Sequence, residues 1–130
     1  MPRRGASSLP LRAVRTEITS ASIDQPYDTL VAIGLLMFFR ARAALILLSS
    51  IQAHVTPGGR AIVNTLIEGT TFHDMFEPGH HCLLQRDELA ERFSGWRILL
   101  QRQDSFPAPG GTRKDFATVV AEKPPQRVRA

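Results

Sequence analysis

The chain has 130 residues, of which 43% are hydrophobic and 22% charged, as is usual for a single globular domain. Its one cysteine, Cys82, excludes an internal disulfide and favours a reducing, cytoplasmic setting. The net charge is +4, but the arginines gather towards the two ends and no basic stripe interleaves with aromatic residues. We therefore expect neither a nucleic-acid partner nor a disulfide-stapled secreted fold.

An apolar run of ten residues, Leu30–Phe39, raises the question of a membrane span. A span needs about 20 apolar residues, and Arg40 and Arg42 interrupt this run. A small membrane-associated protein with one helix over Leu30–Ile51 is an alternative interpretation. The apolar residues that precede Gly34 suit a strand better, so we expect no membrane association.

A strand, a helix and a second strand are predicted in the first half of the chain. The segment Tyr27–Gly34 is short and mostly apolar, which is typical of a strand buried on both faces. Apolar residues then recur at helical spacing from Ala41 to Val55, and Pro57–Gly59 predicts a turn that ends this helix. A second buried strand is predicted from Arg60 to about Glu68, which completes a right-handed βαβ unit.

The second half predicts an irregular loop, a short helix and an antiparallel hairpin. The helix, "RDELAERF", places Leu89 and Phe93 on one face and stops at Gly95, and Trp96 should lie against the core beside them. The strand "WRILLQRQDSF", the turn "PAPGG" and the strand "TRKDFATVVAEKP" follow. In the last strand two sets alternate: Phe116, Thr118 and Val120 against Ala117, Val119 and Ala121.

Four segments together resemble the C-terminal half of a class I S-adenosylmethionine-dependent methyltransferase, and most of all the tellurite-resistance methyltransferase family. They are "YDTLVAIGLLMFF", "HVTPGGRAIVNTLIEGTTF", "LLQRDELAERFSGWRILL" and "GGTRKDFATVVAEKP". The resemblance implies an α/β fold, a partial Rossmann-like sheet with the family's strands in the order 4-5-7-6. The methyltransferase part should cover residues 27–124, after a leader at 1–26 and before a disordered tail at 125–130.

The family's cofactor motif does not appear in this sequence. The family binds S-adenosylmethionine with a glycine-rich turn after its first strand and an acidic residue after its second, but no Gly-x-Gly is present here. Only 26 residues precede Tyr27, whereas two βα units and a strand need at least about 60. We expect a domain that lacks its N-terminal half through truncation, gene fragmentation or a shifted start, with Arg12–Ile18 as a remnant of the third strand.

The resemblance implies a cofactor wall at the end of the first predicted strand. Gly34, Leu35, Leu36 and Met37 would form this wall, because ligands of open α/β sheets bind outside the carboxyl ends of the strands. Simple core packing is the competing interpretation for these four apolar residues.

The substrate would lie against the loop after the second strand, where Glu68, His73 and His80 are the candidate substrate-facing residues. The segment "HDMFEPGHHC" contains metal-capable residues, but their spacing matches no standard zinc site, so we expect no metal. Cys82 has no identifiable activating partner, so a buried small residue is favoured over a nucleophile.

The expected activity is methyl transfer to a small soft nucleophile, and no catalytic residue can be assigned because proximity and alignment dominate such a reaction. The alternative is a non-catalytic fragment that associates with itself or with a partner. Without the family's first strand, the strand at Tyr27–Gly34 would present an unpaired apolar edge, and such edges recruit other chains.

Overall fold

The computed structural model describes Ile23 and residues 25–77 and 79–126. The elements follow in the order β1 (Tyr27–Ile33), α1 (Ala41–His54), β2 (Val55–Leu66), α2 (Glu88–Glu91), β3 (Arg97–Ala108) and β4 (Thr112–Glu122). Single turns of 3₁₀ helix lie at Leu36–Phe38 and Pro109–Gly111. The predicted remnant strand Arg12–Ile18 lies outside the described residues.

The strands form one sheet in the order β1-β2-β4-β3. β1 and β2 are parallel, with Val31 opposite Ile62, and α1 connects them as the predicted βαβ unit. β4 runs antiparallel to both β2 and β3, and the turn Pro109–Gly111 closes the β3–β4 hairpin. The predicted α/β class and the half-sheet order are therefore confirmed.

The core lies between one face of the sheet and both helices. α1 contributes Leu47 and Leu48, and the α2 region contributes Leu89 and Phe93. The sheet contributes small and β-branched residues that lie side by side on its three adjoining strands: Ala32, Ala61, Val63, Ala117, Val119 and Ala121. The alternation predicted for β4 is confirmed, since its odd-numbered residues from 115 to 121 are buried and the intervening ones are half-buried.

The opposite face of the sheet, which we call the open face, carries apolar side chains under no helix of the described part of the chain. On β1, Val31 is 57% exposed and Ile33 is 65% exposed. Ile62 and Val120 continue this apolar strip across β2 and β4 as half-buried residues. Both described helices pack on the other face, so the sheet is covered on one side only.

The predicted Pro57–Gly59 turn is a bulge within a strand. β2 begins at Val55, and the pairing with β1 shifts between Tyr27–Val55 and Thr29–Arg60. Gly58 has a φ of 80°, while its N–H donates to the carbonyl of Lys123 and the Lys123 N–H donates to Gly59. The backbone bends but keeps these strand-like bonds, so the strand starts before the predicted Arg60.

The predicted helix at residues 86–93 is shorter in the structure, where α2 covers only Glu88–Glu91. The chain then tightens to i→i+3 bonds, with the Phe93 N–H donating to Ala90 and the Ser94 N–H donating to Glu91. Gly95, at a φ of 87°, ends the turn as predicted. The tighter winding still points Phe93 into the core.

Candidate functional site at the carboxyl edge of the sheet

Two loops leave the sheet where the parallel strands β1 and β2 end. One runs from Gly34 to Phe39, and the other from Ile67 to Leu84, which we call the long loop. In open α/β sheets, ligands bind outside the carboxyl ends of parallel strands. The candidate site is therefore the space between these two loops.

The structure divides the four predicted cofactor-wall residues into two pairs. The side chains of Leu36 and Met37 are buried in the chain's own interior, at 2% and 5% exposure. Gly34 and Leu35 are half-buried, and the N–H of Gly34 donates to the Asn64 carbonyl over 2.9 Å. Core packing therefore describes Leu36 and Met37, and the half-buried Leu35 also packs against the core. The cofactor contact stays a prediction for Gly34 and Leu35.

The long loop is closed at its base and attached to the first loop. Ile67 pairs with Leu84 in an isolated parallel bridge, and the N–H of Glu68 donates to the Leu84 carbonyl over 2.8 Å. The N–H of Cys82 donates to the Met37 carbonyl over 3.0 Å, so the two loops are joined. Loops with closed ends of this kind are compact surface structures that often carry function. Glu68 lies exposed at this base.

A row of four rings fills the space between the loops. The ring centroids of Phe38 and Phe76 lie 5.4 Å apart, those of Phe76 and His81 4.9 Å, and those of His81 and His73 5.7 Å. Within the described residues, Nδ1 of His81 is buried without a hydrogen-bond partner. The sequence reasoning selected His73 and His80 but passed over His81. The apolar neighbours Cys82 to Leu84 could have signalled that His81 turns inwards.

The two predicted substrate-facing histidines are both exposed and both engaged. Nε2 of His73 lies 3.0 Å from the Thr70 carbonyl oxygen. A carbonyl oxygen can only accept, so Nε2 carries the proton and donates it to this hydrogen bond. Nε2 of His80 accepts from Nη2 of Arg40 over 2.8 Å. The structure places His73 in the ring row and His80 at the adjoining cavity.

The cavity between the loops is small. Its volume is about 190 Å³, and it is lined by Phe38, Met75, Phe76, Glu77 and His80. Sites for drug-sized ligands and cofactors span about 300–1,000 Å³. A larger cavity of about 360 Å³ lies at the opposite edge, beside the Pro57–Gly59 bulge and away from the loops. The cavity at the carboxyl edge is thus smaller than a site of that kind.

Cys82 behaves as a buried core residue. It belongs to the hydrophobic cluster at 7% exposure. Burial, and secondarily the Glu88 carboxylate, raise the pKa of its thiol above the ordinary value. A raised pKa lowers the thiolate fraction near neutral pH, so Cys82 is a poor nucleophile.

Asp115 is a buried charged residue beside the long loop that the sequence reasoning missed. It lies on β4 at the carboxyl edge, and its side chain is only 7% exposed between Arg86 and Arg113. A signal was present in the sequence, because Asp115 occupies the same strand phase as Ala117 and Val119. A carboxylate in the buried phase of a strand is unusual and calls for a partner.

Two other kinds of site find no support in the part of the chain that the structure describes. No three metal-capable side chains come together among residues 25–77 and 79–126. Over the same residues, no helix has both the length and the apolar character that crossing a membrane requires.

Two solved structures share the fold of this chain over most of its length. The TehB structure from Haemophilus influenzae superimposes with a TM-score of 0.71 at 18% identity, over 91% of this chain and 43% of that chain. The N-methyltransferase NodS from Bradyrhizobium japonicum WM9, in complex with S-adenosyl-L-homocysteine, superimposes with a TM-score of 0.61 at 13% identity, over 84% and 52%. The curated relative hemagglutinin 1 from Eikenella corrodens is 25% identical, over 89% of this chain and 40% of its own length.

These likenesses define the fold as that of a class I methyltransferase, as the sequence segments implied. The sequence profile described as "Tellurite resistance protein TehB" matches residues 6–105. The chain therefore belongs to the TehB family of tellurite resistance proteins. It spans less than half the length of the Haemophilus structure and of the Eikenella relative.

Proposed function

We propose that this chain supplies the C-terminal half of an S-adenosylmethionine-dependent methyltransferase domain. The observation that carries the proposal is the position of β1. Its carboxyl end at Gly34 faces the candidate site, while its outer edge has no strand partner among the described residues. A second set of strands beside β1 would extend the sheet and close the site from the other side.

The residues of the chain fit one side of this cofactor. Gly34 has a φ of 63° and no side chain, which allows a ligand to approach its backbone closely. Leu35 offers an apolar contact next to it. The Gly-x-Gly turn, and the acidic residue that would bind the ribose hydroxyls, would have to come from the second set of strands beside β1. S-adenosylmethionine, where it is bound, supplies the methyl group.

The acceptor side of the site is the long loop. We assign a small nucleophilic acceptor to the space faced by Glu68, His73 and His80. His73 belongs to the ring row, His80 lines the adjoining cavity, and Glu68 is exposed at the base of the same loop. The rings of Phe38 and Phe76 line that space with apolar surface, which favours alignment of the reactants. A reduced, buried Cys82 fits a cytoplasmic location.

Calorimetric titration of this chain with S-adenosylhomocysteine tests the proposal, with NodS as the binding control. Each buried hydrogen-bonding group left unpaired costs about 1–3 kcal/mol, so loss of the turn and the acid should weaken binding by two or more orders of magnitude. We expect no saturation in the micromolar range. A micromolar dissociation constant with one site per chain would show that the chain encloses the cofactor alone.

A second proposal, self-association, rests on the same strand. The exposed side chains of Val31 and Ile33 lie on a strand whose outer edge has no strand partner among the described residues, and such edges pair with other chains. In this alternative the chain is a non-catalytic domain whose partner is a second copy.

A further inference from the structure

The starting point is the buried carboxylate of Asp115, which the proposed reaction does not use. Its Oδ1 accepts from the Ser105 hydroxyl over 2.6 Å. Its Oδ2 lies 3.7 Å from Nη1 of Arg86 and 3.4 Å from Nε of Arg113. Two arginines therefore offset the charge of the carboxylate, and a hydroxyl donates a hydrogen bond to it.

The backbone beside Asp115 holds the first turn of the long loop. The Thr70 hydroxyl accepts from the Asp115 N–H over 2.9 Å and donates to the Asp115 carbonyl over 3.1 Å. The N–H of Ile67 donates to the same carbonyl over 2.9 Å. Two residues earlier on β4, the Arg113 carbonyl accepts from the N–H groups of Thr71 and Phe72.

Side chains of β4 also contact the start of the long loop. Nε of Arg113 donates to the Gly69 carbonyl over 3.0 Å, next to its ion pair with Asp115. A Cβ at Gly69 would collide with the Asp115 carboxylate, so only glycine allows the loop to lie this close. The carboxylate and the loop backbone thus fix each other's position.

Sheet stability does not explain a charge at this place. A buried ion pair often contributes no more than apolar residues of similar volume, and Ala117 and Val119 fill the same strand phase with apolar side chains. What the carboxylate adds is direction, because it pairs with Arg113, whose Nε donates to the Gly69 carbonyl at the start of the loop. The carbonyl of Thr70, held there, is also the acceptor for His73.

We propose that Asp115 is a positioning residue that fixes the start of the long loop and, through Thr70, the ring orientation and tautomer of His73. The inference rests on the proposed function only in that this loop forms the acceptor side of the site. It predicts that the loop and the His73 ring respond to changes at Asp115, while the rest of the sheet does not.

Hydrogen exchange and imidazole NMR on the full chain test this without cofactor. In Asp115→Asn, we expect the amides of Thr71 and Phe72 to exchange at least tenfold faster, while those of β4 residues 117–121 are unchanged. The His73 nitrogen shifts should move from those of an Nε2–H tautomer towards a mixture. The matched control is Asp104→Asn, which breaks an exposed pair with Arg102 on β3 and should change none of these signals.

Thr70→Val provides a second variant that leaves the carboxylate in place, in case Asp115→Asn does not fold. It removes the hydroxyl that bridges to Asp115 and should accelerate the same amides. The proposal is wrong if Thr70→Val leaves the exchange of the loop amides unchanged. It is also wrong if Asp115→Asn accelerates exchange equally throughout the sheet and leaves the His73 nitrogen shifts unchanged. Neither result depends on whether the chain binds S-adenosylmethionine, so failure here is distinct from failure of the proposed function.

Discussion

Phe93 and Trp96 meet edge to face in the turn after α2, with ring centroids 5.0 Å apart at 76°. Phe93 is 1% exposed, whereas Trp96 is half-buried and packs on the core from outside. Nζ of Lys123 lies 5.8 Å from the centroid of the Trp96 ring and covers part of its outer side. Trp96 thus packs against the core as predicted, but beside Lys123 it stays partly in water.

Phe93→Ala should cost more stability than Trp96→Ala. Complete removal of a buried aromatic ring costs about 3–5 kcal/mol, and we expect this loss for Phe93→Ala. For Trp96→Ala we expect about 2 kcal/mol, because part of the ring never leaves water. Chemical denaturation of both variants measures the difference, and Trp96→Phe, which keeps the edge contact, is the control. Equal losses would show that Trp96 is as deeply buried as Phe93.

At the scale of elements, β1 carries exposed apolar side chains, Val31 and Ile33, at one edge of the sheet. Its outward side chains lie on the open face, and its outer backbone edge is unpaired in the described chain. Segments of high β-propensity without charge or proline associate when they are unpaired, and Thr29–Phe39 has that composition.

Val31→Lys should shift the chain towards the monomer, because a charge on an edge strand opposes pairing with another strand. Analytical ultracentrifugation of the native chain and the variant over a range of concentrations measures this shift. Ile46→Lys is the matched control, since Ile46 is also an exposed apolar residue, at 47%, but lies on α1 away from the edge. A native chain that remains monomeric at high concentration, even after deletion of residues 1–20, would exclude association through this edge.

Elements with a clear hydrophobic period were predictable from the sequence. α1 and β4 repeat apolar residues at the spacing of their own backbone, β1 is a short apolar run, and the structure confirms all three as elements. The predicted burial of β1 on both faces is wrong, because Val31 and Ile33 are exposed. The bulge at Gly58 was not predictable, because its hydrogen bonds go to Lys123, far away in the chain. The short extent of α2 likewise depends on the tertiary contact of Phe93.

The candidate site was less predictable than the fold. The carboxyl edge follows from the strand order, but the ring row joins Phe38 to Phe76, and no local pattern links the two. The burial of Leu36 and Met37 results from how the first loop folds back, which composition does not specify. The roles of Gly34, Glu68, His73 and His80 therefore remain proposals.

At the scale of the molecule, residues 25–77 and 79–126 form a two-layer structure whose sheet has one covered and one open face. Ile62 and Val63 are neighbours on β2 and point to opposite faces. Val63 is completely buried against the helices, whereas Ile62 is half-buried on the open face. Substitutions at Val63 and Ile62 therefore measure how much burial on each face contributes to stability.

Val63→Ala should destabilise the isolated chain more than Ile62→Ala, although isoleucine loses more atoms. Removing a completely buried aliphatic side chain costs about 2 kcal/mol or more, and a solvent-facing one much less. Thermal unfolding of both variants at low concentration measures this order. If Ile62→Ala proves the more costly, the open face is covered in solution.

The strand order also governs how the chain folds as it is synthesised. β2 lies in the middle of the sheet, yet one of its two neighbours, β4, is the last strand in the described chain. On the ribosome, the unit β1–α1–β2 emerges first and exposes both outer edges until β4 arrives. Pairings between distant segments form slowly and leave apolar edges open to misassembly. The nascent chain should therefore depend on chaperones during that interval, and the β3–β4 hairpin, which closes locally, should complete the sheet in a single late step.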